Sequence, residues 1–119
     1  MRRAISMLLL SLASCSALAD ELTTGILYSY CKSRDASVRK IGSMYIVGVV
    51  QGLSLSSGLT KDREHFCIPD DLSEEQMVGV FLRTAGALSQ LYPKDMDLPA
   101  VSIVAASMKK EFPCAKLKN

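Results

Sequence analysis

Two cysteines bracket the second half of this chain, and each lies within two residues of a proline: Cys67-Ile68-Pro69 at one end, Phe112-Pro113-Cys114 at the other. The residues between them carry two stretches of helical periodicity, separated by Tyr92-Pro93. Packed as an antiparallel hairpin, those helices bring both thiols to the same end. We therefore expect a Cys67–Cys114 disulfide. In the chain-entropy account, closing a loop of this length removes about 4 kcal/mol of freedom from the unfolded chain, a large share of a small domain's stability. Such a bond needs an oxidising compartment.

The N-terminus points to one. Residues 1–19 read as a secretory signal, with Arg2 and Arg3 as the positive region, Ile5 to Ala13 as the apolar region and Ala17-Leu18-Ala19 as the cleavage site. Release there starts the mature chain at Asp20 and leaves 20–119 as a single domain. Leu12-Ala13-Ser14-Cys15 also has the form of a bacterial lipobox, in which Cys15 would carry lipid and anchor the chain to a membrane. Both readings stand at this point. No later stretch is long and charge-free enough to predict a spanning helix.

Without Arg2 and Arg3 of the 14 basic residues, basic and acidic residues balance at 12 each. A chain without net positive charge lacks the basic face that phosphate backbones require, so no nucleic-acid partner is expected. Cys31, Cys67 and Cys114 remain after cleavage, and one bond among them can form in three ways. With Cys67 and Cys114 joined by the geometric argument above, Cys31 is either a buried thiol or an intermolecular link.

The helical pattern runs through the rest. Leu22, Ile26, Leu27, Tyr30 and Cys31 predict a first helix ending near Lys32. A second, capped by Asp35 or Ser37, carries Val38, Ile41, Met44, Tyr45, Val49 and Leu53 and is apolar nearly all round from Met44 to Val50. Gly42, Gly48 and Gly52 in it cost up to about 1 kcal/mol each against alanine. The strip made by Gly48 and Gly52 predicts either a close approach by another helix or a self-association face. Ser54 to Phe66 reads as a surface loop, either a solvated connector or a functional segment. Ser73-Glu74-Glu75-Gln76 is a capping box, opening a third helix with Met77, Val80, Phe81, Ala85, Leu88 and Leu91 inward. After the Lys94-to-Asp97 turn, Pro99 fits the first turn of a fourth helix, with Val101, Val104, Ala105, Met108 and Phe112 as its buried stripe. The expectation is all-α: a small, disulfide-stapled bundle of about four helices.

Little in the chain can do chemistry. His65 is the only histidine, and it stands two residues from Cys67, a spacing that seldom aims two side chains at one point. An oxidised Cys67 is also no nucleophile. The cysteines are too widely separated for a zinc site, and the pairs Asp70-Asp71 and Glu74-Glu75 lack the Asp-x-Asp-x-Asp-Gly pattern of a calcium loop. No catalytic residue, metal or cofactor is expected; the chain reads as a protein that binds another.

The order of these features resembles the Rap1a/Tai family of immunity proteins. The resemblance rests on the N-terminal signal, Cys31, the glycine-rich Met44-to-Gly52 segment, Cys67-Ile68-Pro69, the Leu98-Pro99-Ala100 helix start and Phe112-Pro113-Cys114. It covers about residues 21–114. It implies a small helical periplasmic protein, often dimeric, that binds a type VI secretion peptidoglycan amidase effector and occludes its active site, protecting the cell from sister cells. Many members carry a further cysteine near where this chain has Met44 and Tyr45, which is expected to pair with the counterpart of Cys31; here Cys31 is left unpaired. A steric mechanism then places a polar loop in the amidase cleft. The candidate contacts are Asp62, Arg63 and Glu64 in one loop, and Tyr92, Lys94 and Asp95 in the other. Two other classes fit the same features: an acid-activated periplasmic chaperone similar to HdeA, and an envelope lipoprotein anchored through Cys15.

Overall fold

The structure, a computed structural model, describes residues 21–59 and 66–114. Its elements are α1 (Thr24–Cys31), α2 (Ala36–Leu59), α3 (Glu74–Leu91), a 3-10 helix (Pro93–Asp97) and α4 (Ala100–Glu111). Helices α1, α2 and α3 each begin where a side chain supplies a partner for the amides that a helix start leaves free. The Thr23 side chain accepts from the Ile26 amide, and Asp35 accepts from Ser37 N at 2.8 Å. At α3 the capping box is complete: Gln76 N donates to Ser73 Oγ (3.1 Å) and Ser73 N donates to Gln76 Oε1 (2.8 Å). Lys109 and Lys110 occupy the last turn of α4, where the helix dipole favours cations.

Helices α3 and α4 form the expected hairpin, and Cys67 and Cys114 are bonded across its open end with their Cα atoms 5.1 Å apart. α1 lies along α2 and also touches α3, α4 and the 3-10 helix. The core is one cluster in which Leu27, Ile46, Val50, Phe81, Ala85, Val104 and Met108 are buried. Each large side chain among them contributes about 1.5–3 kcal/mol by leaving water. Among the described residues the extended pairing is limited to one isolated bridge, Thr23 with Pro99.

Several expectations about individual residues are corrected. Helix α2 runs on to Leu59, so the segment from Ser54 to Leu59 is helix rather than loop. A helix already nucleated extends cheaply through serines, which are only mildly unfavourable inside it. In α2 the inward line is Gly42, Ile46 and Val50, while Ile41 and Met44 face out. A segment apolar on every side does not reveal which side is inside. Among the described residues, Gly48 and Gly52 meet no neighbouring element; the close approach belongs to Gly42, against Cys31 and Tyr30.

The fourth helix also differs from its predicted phase. Pro99 is its N-cap rather than its first turn, and Ala100, Val104, Ser107 and Met108 point inward, leaving Val101 exposed. The cause is the anchoring of its start: Ala100 N donates to Leu22 O at 2.8 Å, which sets the rotation of everything after it. Ile26 and Leu91 are likewise exposed.

Candidate partner-binding surface

The segment Tyr92–Asp97 is held from both sides. At its start, Tyr92 N donates to Leu88 O (2.8 Å) and closes α3; Pro93, which has no amide to leave unpaired, begins the 3-10 helix. Asp95 N donates to Tyr92 O (2.9 Å) and Leu98 N to Asp95 O (3.1 Å). At its end, Leu98 O accepts from both the amide and the hydroxyl of Thr24, each at 2.9 Å. Thr24 is fully buried, so this paired contact satisfies a polar side chain inside the core. Gly25 lets the segment sit close, since a Cβ there would lie 3.3 Å from Met96 O.

On this base Leu91 and Tyr92 project outward, 70% and 63% exposed. They stand at the mouth of a groove of about 400 Å³ between α3 and α4, with Val80, Thr84, Leu88 and Ser107 along its walls. Arg83 and Glu111 pair across its rim at 3.0 Å. Both ends of that pair are solvated, so it orders the rim and adds little stability. Lys94 is exposed and Asp95 half-buried. The structure thus brings Tyr92, Lys94 and Asp95 together on one braced corner. Asp62, Arg63 and Glu64 lie outside the described residues, as does His65.

Leu91 was missed as a surface residue because its helical spacing matched the buried stripe. The signal that identifies it is its position, last in α3 and directly before Tyr92-Pro93, where the chain turns away. A second apolar surface, on the outer side of α2, carries Ile41, Met44 and Leu55.

The described residues hold no cluster of three potential metal-binding side chains. Cys67 is oxidised. The Cys31 thiol is buried and free, and burial pushes its pKa up from 9.0 to about 11, so at neutral pH it is protonated and unreactive.

The family model for Rap1a immunity proteins matches residues 23–114. The chain belongs to this family. No curated protein and no solved structure matches the chain. The Rap1a match runs from Thr23, whose bridge to Pro99 positions α4, to Cys114, which closes the staple. As a member of the Rap1a family the chain is an immunity protein directed at a secreted effector. No helix among the described residues of this Rap1a protein is long and apolar enough to cross a membrane.

Proposed function

We propose that this immunity protein acts in the periplasm, where it binds a type VI secretion peptidoglycan amidase and blocks its active site without catalysing a reaction of its own. The family match carries the reading. The braced corner supports the steric mechanism: an exposed aromatic on a rigid base binds with little loss of side-chain freedom, which is the character of an interface anchor. Tyr92 supplies that anchor, while Lys94 and Asp95 meet charges at the rim of the cleft. Asp62, Arg63 and Glu64 contribute from the second loop, and the protein works as a homodimer.

The test is capture and protection. Tagged protein exported from the cell should retain one folded amidase at neutral pH, and added in excess it should abolish that enzyme's release of wall peptides. Retention of no amidase, or retention with undiminished wall cleavage, would refute the proposal. Binding of unfolded clients near pH 3 in place of a folded enzyme would instead support the acid-chaperone reading.

A further inference from the structure

We propose that the outer face of α2 is the contact between two copies of this chain, packed antiparallel about a two-fold axis at Gly48. This deepens the homodimer reading above and rests on it. Ile41, Met44, Gly48, Gly52 and Leu55 follow one another at intervals of three, four, four and three residues, a spacing that reads the same in both directions from Gly48. At 3.6 residues per turn all five lie within about 40° of the direction of Gly48, so they form one straight line along the helix. The three large side chains on it are unusually open to water: Ile41 58%, Met44 63% and Leu55 66% exposed.

A two-fold contact requires a surface that complements itself, residue i meeting j and j meeting i. This line does so. With Gly48 on the axis, Met44 falls opposite the notch at the second copy's Gly52, and Ile41 falls opposite the second copy's Leu55. Among the described residues, a Cβ at Gly48 or Gly52 would meet nothing within 4 Å, so their packing leaves both positions open for a close approach from outside.

Charge selects the occupant. Ile41 to Leu59 contains no charged residue, and Lys40 at its edge is tied to Glu74 at 2.9 Å. A charged partner surface would lose its water here and find no counter-charge, whereas a second copy brings an equally uncharged face. Area sets the strength. The 24 residues of α2 span about 36 Å, and a helix face of that length covers about 400 Å² per copy, half of the ~800 Å² per partner in standard interfaces. The dimer is therefore reversible, with a dissociation constant on the order of micromolar rather than nanomolar.

Sedimentation of the purified protein, with its Cys67–Cys114 bond intact, should show concentration-dependent dimers. Met44→Asp and Leu55→Asp should each raise the dissociation constant at least about 30-fold while leaving the thermal melt unchanged. Gly48→Cys gives an independent readout, because a cysteine on the axis meets its own copy. It should form a disulfide-linked dimer at least about tenfold faster than Ala106→Cys, an exposed control on α4. A wild-type protein that stays monomeric to millimolar concentration overturns the homodimer itself. Wild-type dimers that persist in both aspartate variants, or equal cross-linking at positions 48 and 106, overturn the α2 face and leave the dimer standing.

Discussion

A Cβ built on Gly42 stands 2.9 Å from the sulfur of Cys31, with the Cys31 amide at 3.2 Å and the Tyr30 Cβ at 3.3 Å. The α1–α2 contact is therefore closed by a glycine packed on a thiol. A 2.05 Å S–S bond leaves about 3 Å between one sulfur and the Cβ of the other cysteine, so position 42 has the separation a disulfide to Cys31 needs. Met44, two residues on, faces solvent.

Gly42→Cys should accordingly bond to Cys31. Intact-mass analysis should find no free thiol in the variant, and oxidised protein should be more stable than its selectively reduced form by about 2–3 kcal/mol, the value for a loop of about a dozen residues. Gly42→Ala carries the crowding without the bond and should lose about 1–3 kcal/mol in urea unfolding. A free thiol that persists in Gly42→Cys after oxidation would show that the two backbones do not approach as described.

The Cys67–Cys114 bond closes a loop spanning 47 residues. Replacing both cysteines by alanine should lower the free energy of unfolding by about 4 kcal/mol, mostly by freeing the unfolded chain. Because the helices themselves keep their caps, circular dichroism of whatever remains folded should be unchanged. A loss below about 1 kcal/mol would mean that the staple constrains little.

Alkaline pH should destabilise the protein through one buried acid, Cys31, and one half-buried acid, Tyr45. Burial raises the Cys31 pKa from 9.0 to about 11 in the folded chain. Between those values the unfolded state gives up its proton first, so stability is full below pH 9 and falls as pH rises toward 11. Tyr45 shifts the same way from 10.0, by burial first and by the nearby Glu21 carboxylate second, and adds to the fall above pH 10. Cys31→Ala should flatten the stability curve between pH 9 and 10 and keep the steeper part above. In native protein at pH 7 the thiol should resist labelling until denaturant is added; immediate labelling would contradict its burial.

In the complex proposed with an amidase, Tyr92→Ala should weaken binding about 30-fold, the loss of one central aromatic anchor worth about 2 kcal/mol. Charge reversal at Asp62 and at Asp95 should also weaken it, in each case without lowering the melting temperature. Calorimetry against the captured enzyme measures both quantities. Unchanged affinity in all three variants would remove these loops from the interface.

Local chemistry was legible where a few adjacent residues settle the outcome among themselves. Ser73 and Gln76 satisfy each other's backbone amides, Pro93 stops α3, and the inward positions of α3 from Met77 to Ala85 follow one clear apolar line. The staple was readable for the same reason, since prolines and a single turn place Cys67 and Cys114 at one end of a hairpin. The helical class, the bond and the family resemblance therefore belong to the sequence.

Tertiary packing decided what periodicity leaves degenerate. A helix as apolar as α2 has several sides that could face inward, and the docking of Cys31 onto Gly42 selects one, turning Ile41, Met44 and Leu55 toward solvent. The rotation of α4 is set by Ala100 N on Leu22 O, far apart in sequence. The corner bearing Tyr92 is braced by Thr24, 74 residues from Leu98 along the chain. Which surface an immunity protein offers is thus fixed by contacts between distant segments, because one-dimensional spacing specifies that a helix has an apolar side but not which neighbour will cover it.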